Sequence, residues 1–225
     1  MFFYDPTMIL LIPAIIVTII AQYKISQSYR KYSQIQSYRG LTGEQAAREI
    51  LNANGIYDVD IEMVRGHMTD HYDPRAKVLR LSRDVFYGSS IASIGIAAHE
   101  VGHAIQHNRS YAPLILRNKI VPAVNFGASF SWLLFFMGLI LSVRPLLVFG
   151  IILFSFTVIF QLVTLPVEFN ASSRALKSIV SLNLLNGEEV RGARNVLSSA
   201  ALTYVAAALM AIMNLLRLIA LADRE

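Results

Sequence analysis

Long apolar runs alternate with polar stretches along the 225-residue chain. Four runs dominate, at residues 7–23, 120–143, 146–167 and 200–222. Each approaches or exceeds the ~20 residues that a helix needs to cross a ~30 Å hydrocarbon core. One such run could be a helix buried in a soluble core. Four in so short a chain predict a mainly α membrane protein with about four transmembrane helices. The first run follows "MFFYDP", which carries Asp5 rather than a basic segment, and no small-residue cleavage site follows it. It therefore reads as a retained anchor and not as a signal peptide.

The polar stretches, residues 24–119 and 168–199, carry their own patterns. In "LTGEQAAREILNANG", Thr42 with Gln45 three residues on forms a capping box, and Gly55 is a stop signal. "YDVDIEMV" and "KVLRLS" alternate apolar and polar positions, and the turn-rich "TDHYDPRA" lies between them. Two such strands predict a β-hairpin. From Ser90 the period changes to that of a helix, with Ile91, Ile94, Ala98, Val101 and Ile105 on or near one face. Residues 24–119 thus read as a small α+β unit. In the second polar stretch, Asn186 with Glu189 marks another capping box, opening a helix that leads into the fourth run.

Composition agrees with the pattern: 55% of residues are hydrophobic and 16% charged, against about 45–50% and about 25% in soluble domains. The net charge of +5 would suggest nucleic acid in a soluble protein. Here the positions of the basic residues point to membrane orientation, and no nucleic-acid partner is expected. Lys24, Arg30, Lys31, Arg39, Arg109, Arg117, Lys119, Arg174, Lys177, Arg191 and Arg194 flank the runs on one side, whereas Arg144 and Arg224 flank them on the other. The positive-inside rule then predicts a multi-pass protein of the cell membrane with both termini outside and residues 24–119 and 168–199 in the cytoplasm. The chain has no cysteine, which excludes disulfides and thiolate metal sites.

Candidate chemistry concentrates in "AAHEVGHAIQH". His99 and His103 are four residues apart on a predicted helix, so both imidazoles lie on one face and can reach one metal ion. Glu100 projects beside the pair, where it can hold the reacting water. This is the H-E-x-x-H arrangement of zinc peptidases. Catalytic zinc ordinarily has three protein ligands. His107 lies eight residues from His99, about 12 Å along a straight helix, too far to share one ion. Peptidases with a nearby third histidine place a glycine three residues after the second ligand, and Gln106 stands there. His107 therefore reads as solvated or as a supporting residue. Among the acids after Glu100, Glu188 and Glu189 belong to a helix start, and Asp223 and Glu225 fall on the outer side. That leaves Glu168, at the end of the third run, as the third ligand. One Zn2+ ion is expected, although other divalent metals suit such ligands.

"HEVGH" followed by "EFNAS", with apolar runs between and around them, resembles the membrane zinc peptidases related to HtpX and the CAAX prenyl protease. Those carry an E-x-x-A-D motif, matched here by Glu168 and Ala171, with Ser172 where the Asp would stand. The whole chain, including "DHYDPRAKVLRLS", is more similar still to the small bacterial YugP-like neutral zinc metallopeptidases. The resemblance implies a gluzincin-type, zincin-like catalytic unit and a membrane-embedded endopeptidase acting at the cytoplasmic face, with Glu100 as general base. It also implies that the strand Val78, Leu79, Arg80, Leu81 and Ser82 pairs with the substrate backbone, favouring unfolded segments or segments of membrane proteins. Ser172 would support a ligand histidine by a hydroxyl in place of a carboxylate. Arg174, His67, His71 and Tyr72 are candidates for stabilising the oxyanion. The alternative is a catalytically inactive, zinc-stabilised membrane scaffold or adaptor. Glu100 discriminates, since a scaffold needs the two histidines but has no use for a general base beside them.

Overall fold

The computed structural model describes residues 6–223; Asp5, used in the anchor reading, and Arg224 and Glu225, assigned to the outer side, lie outside the described residues. After a 3-10 turn at Pro6–Leu11, the elements are α1 (Ile12–Tyr32), α2 (Gly43–Ala53), β1 (Asp60–Val64), β2 (His71–Asp73), β3 (Val78–Ser82), the short α3 (Arg83–Phe86), α4 (Ile91–Asn108), α5 (Ala112–Leu141), α6 (Arg144–Ser181) and α7 (Gly187–Ala222). Four helical stretches are long and apolar enough to cross a membrane: Pro6–Tyr32, Ala112–Leu141, Arg144–Ser181 and Gly187–Ala222. All four run past the apolar residues that predict them at one end or both. The third is the informative case. The apolar run stops at Val167, but the helix continues through Ser181, carrying Glu168, Ser172 and Arg174 on regular helical geometry.

The chain divides into two compact units. One consists of Ile115–Pro166 with the apolar parts of the first and last helices, up to Gln22 and from Thr203. Its centre is Phe135 and Leu147, with Phe154, Val158, Ala211 and Leu218 around them. Here α5 and α6 come close to backbone contact. A Cβ on Gly150 would meet Phe135 N and Ser131 O at 2.8 Å, and one on Gly127 would meet Leu153 O at 2.7 Å. Small residues permit such approach where dispersion packing must replace a hydrophobic driving force.

The other unit is Tyr23–Leu114 with Val167–Leu202, and α4 is its axis. Ile94, Ala97, Ala98 and Val101 of α4 are fully buried among Ile50 and Leu51 of α2, Leu79 and Leu81 of β3, Ile179 of α6 and Leu197 of α7. The isoleucine, leucine and valine side chains among them contribute roughly 1.5–3 kcal/mol each on full burial. Both expected capping boxes are present: Thr42 Oγ1 accepts from Gln45 N at 3.2 Å while Gln45 Oε1 accepts from Thr42 N at 3.0 Å. At α7, Asn186 Oδ1 accepts from Glu189 N at 3.2 Å and Glu189 Oε2 from Asn186 N at 2.8 Å. Glu189 Oε1 also takes the Tyr38 N–H at 2.6 Å, tying the α1–α2 connection to α7.

The sheet corrects two sequence expectations. Its order is β1-β3-β2. β1 and β3 pair in parallel, Asp60 opposite Val78 through Val64 opposite Ser82, so they are not the two arms of a hairpin. The hairpin is β2–β3, with His71 opposite Arg80 and Asp73 opposite Val78. Its first arm lies inside the stretch read as a turn. The cause is Asp73, whose Oδ1 accepts from Arg75 N at 2.9 Å and Ala76 N at 3.2 Å. That Asx turn closes the chain over four residues, and Lys77 completes it at φ 54°. β3 is consequently the central strand. Val78, Leu79 and Arg80 have strand partners on both sides, which leaves no edge along them for a further strand; Leu81 and Ser82 are paired with β1 alone. The free edge next to α4 belongs to β2.

Thr42→Ala removes one side of a capping box and is expected to cost about 1 kcal/mol, or roughly 2–4 °C in Tm for a chain of this size. Thermal unfolding in detergent measures it, and an unchanged Tm would show that α2 is held by burial alone.

Candidate metal centre

α4 presents its polar groups on the side facing α6, and Gly102 allows the two helices to meet. A Cβ at Gly102 would stand 2.6 Å from the Ala171 carbonyl oxygen and 3.1 Å from its Cα. Ala171 lies within the stretch Glu168–Ser172, so this contact brings both ends of that stretch level with the histidines. His99 Nε2 lies 3.2 Å and His103 Nε2 3.6 Å from Glu168 Oε2. The two rings are nearly perpendicular, at 87° with centroids 4.9 Å apart. One ligand atom from each residue falls within 4.8 Å of the others. Ligand atoms ~2.0–2.1 Å from a tetrahedral zinc ion lie about 3.3 Å from one another, so the two imidazole–carboxylate separations match such an ion. The donor set, two neutral imidazoles and one carboxylate with no sulfur, is one that catalytic zinc takes.

Each imidazole is held through its other nitrogen. His99 Nδ1 lies 3.1 Å from Ser172 Oγ. His103 Nδ1 lies 3.0 Å from Gln106 Oε1. Gln106 is fully buried, and its amide can face only one way. Its Nε2 donates to Val167 O at 2.8 Å and to Asn170 Oδ1 at 3.1 Å. Val167 O can only accept. Asn170 Oδ1 is fixed as an acceptor in its turn by Arg174 Nε–H, a donor-only group 2.7 Å away. Oε1 of Gln106 must therefore face His103 and accept from Nδ1–H, so that in the neutral ring Nε2 is the nitrogen available to a metal ion. A chain from Arg174 through Asn170 and Gln106 thus sets the tautomer of a ligand, as the supporting shell of a metal site does. Arg174 also lies over the Tyr111 ring, 5.9 Å from its centroid. In the structure its Nε anchors Asn170.

Glu100 is half-buried beside the pair. Burial pushes its carboxyl up to about 7; His99 opposes this, Glu168 and Asp70 reinforce it, and the Tyr72 backbone N–H opposes it as a donor. That N–H places the free edge of β2 against Glu100. The phenol of Tyr72 reaches along α4 to His107, with Oη 2.8 Å from Nδ1. Tyr72 is therefore a strap that holds β2 on the helix at both of its ends, and His107 is its anchor and not a ligand. The remaining two histidines are elsewhere. His67 Nδ1 lies 3.3 Å from Asp84 Oδ2 and its ring meets Tyr29 edge-on. His71 is exposed, with Nδ1 2.8 Å from Thr69 O. Neither is gathered around the ligand triad among the described residues.

Gly102, Gln106 and Asn170 were not legible as site residues. Gln106 left one signal: an uncharged amide in an apolar helix, three residues after a ligand and therefore on its face.

Gln106→Leu is expected to weaken zinc binding by about 10–100-fold, and Gly102→Ala by at least as much, because the obstructing atoms are backbone. Competition with a chelator reads both; wild-type affinity in Gln106→Leu would remove the amide from the site. A separate test concerns the strap. Burial first, then Asp58 and Asp73, push the Tyr72 phenol up to about 12. The folded state thus resists an ionisation that the unfolded chain undergoes near pH 10, so stability is full below pH 10 and falls as pH climbs towards 12. Denaturation curves across that window are expected to show a smaller loss in Tyr72→Phe than in wild type; equal losses would mean that the phenol is not held.

A family profile described as "Putative neutral zinc metallopeptidase" matches residues 7–223. "Putative membrane protease YugP" of Bacillus subtilis (strain 168) is 54% identical over 199 residues, covering 88% of each chain. No solved structure matches. With a profile spanning nearly its whole length and a relative this similar, the chain belongs to the family described as "Putative neutral zinc metallopeptidase".

Proposed function

We propose that this protein is a membrane-embedded zinc endopeptidase whose centre faces the cytoplasm. The observation that carries the reading is the convergence of His99 Nε2 and His103 Nε2 on Glu168 Oε2, at 3.2 Å and 3.6 Å, with Glu100 alongside. His99, His103 and Glu168 would hold one Zn2+. When bound, zinc supplies Lewis-acid chemistry: it lowers the pKa of a water towards about 7 and polarises a carbonyl. Glu100 takes the proton of the attacking water and delivers it to the leaving amine. A carboxyl that burial has raised to about 7 suits both halves of that transfer at neutral pH.

The β2 edge supplies a place for the substrate. Tyr72 turns its N–H away from β3 and towards Glu100, so the outward groups of this short strand border the reacting centre. An extended peptide laid along that edge would be bound through its backbone, with little demand on sequence. Unfolded segments and segments of membrane proteins fit that mode. This moves the substrate strand from Val78–Ser82 to His71–Asp73. The helix α4, the three-stranded sheet and the glutamate from α6 together make a gluzincin-type unit. The cytoplasmic placement rests on the basic residues clustered around residues 24–119 and 168–199, which the positive-inside rule assigns to that side.

Glu100→Gln keeps the shape and the metal ligands but cannot accept the proton. It is expected to retain zinc at wild-type stoichiometry and to lose about 10²–10⁴-fold in casein or membrane-substrate cleavage. Cleavage equal to wild type would refute Glu100 as the base.

A further inference from the structure

Away from the metal centre, α1 and α7 enclose a groove lined by Lys24, Gln27, Ser28, Lys31, Asn195 and Ser198, of about 420 Å³. Its chemistry is one-sided. No carboxylate lines it, and neither lysine makes an ion pair with a described acid. Both lysines are exposed, and Lys31 Nζ lies 5.2 Å from the Tyr32 ring centroid. The walls are cross-linked and do not depend on the lysines: Ser28 Oγ and Ser199 Oγ are 3.0 Å apart, and Asn195 Nδ2 donates to Tyr32 Oη at 2.9 Å. Two cations and a set of hydroxyl and amide donors facing a cleft without an acid are the complement of a phosphate group.

We infer that this groove binds the headgroup phosphate of an anionic phospholipid. Free phosphate would offer the same charge, but the helices argue for lipid. α1 turns apolar immediately before Lys24, where Ile16, Ile19 and Ile20 are all exposed. α7 turns apolar immediately after Ser199. On α1 itself, Lys24, Gln27 and Lys31 recur at helical spacing on one face. A headgroup in the groove would leave its acyl chains beside the exposed isoleucines of α1. Basic pockets between membrane helices hold anionic headgroups by this combination, each cation near the surface contributing to affinity.

The test uses the full-length protein in a neutral detergent, titrated with phosphatidylglycerol, with bound lipid counted by native mass spectrometry. Wild type is expected to show saturable binding that phosphatidylcholine and inorganic phosphate at equal concentration do not displace. The double variant Lys24→Gln/Lys31→Gln is expected to lose on the order of 10- to 30-fold in affinity. Gln27→Glu, which puts a carboxylate in the groove at an exposed position, should weaken binding in the same direction. Lys177→Gln, an exposed cation outside the groove, is the control and should stay within about twofold. Displacement by inorganic phosphate would identify a free-phosphate site and overturn the lipid assignment. An equal loss in Lys177→Gln would reduce the effect to diffuse surface charge, and unchanged binding in the double variant would dismiss the groove altogether.

Discussion

The approach of α4 to α6 at Gly102 and Ala171 is the constraint on which the site depends. With a Cβ position 2.6 Å from a carbonyl oxygen, only glycine fits. The consequences follow from helix geometry. Gly102 lies between His99 and His103, and Ala171 lies between Glu168 and Ser172, so a contact at these two residues brings the flanking groups into register. Glu168 then meets both Nε2 atoms, Ser172 meets His99 Nδ1, and Gln106 spans the remaining gap to Val167 and Asn170. Glu168 is buried to 4% exposure, and a carboxylate is tolerated there because two imidazoles face it.

The two halves of the support differ in kind. A serine hydroxyl can donate as well as accept, so Ser172 orients His99 without by itself deciding which ring nitrogen carries the proton. On the His103 side the direction is forced, since a guanidinium and a backbone carbonyl fix both ends of the amide relay. A neutral relay orients a ligand without placing another buried negative charge next to Glu168, where two carboxylates would repel in a low-dielectric site. Here a hydroxyl and an amide share the orienting role.

Much of this was written in the chain. The apolar runs gave the four long helices, the pair His99 and His103 followed from a four-residue spacing, and Glu168 emerged because the other acids had structural explanations. What escaped was whatever depends on a partner distant in sequence. Strand pairing is one case: alternation in residues 57–64 and 77–82 shows that both are strands but not that a third, three residues long, comes between them. β2 is too short for a period to register, and its identity rests on the Asx turn at Asp73. Gln106 and Asn170 are another case, since an amide on a helix declares itself only when the opposite helix is known. The full length of α6 did not register for a related reason. Hydropathy falls at Glu168, but a helix does not stop where polarity begins; it stops at Ser181, where its hydrogen bonding ends.

The ligands of the metal centre are separated by 69 residues, from His99 to Glu168. A chain is made from its N-terminus, so the two histidines exist long before the carboxylate that completes the set. During synthesis the nascent protein therefore passes through a stage with Glu100, a histidine pair and an edge strand but no complete ligand set. The order of synthesis leaves the ligand set incomplete until the α5–α6 segment has been made.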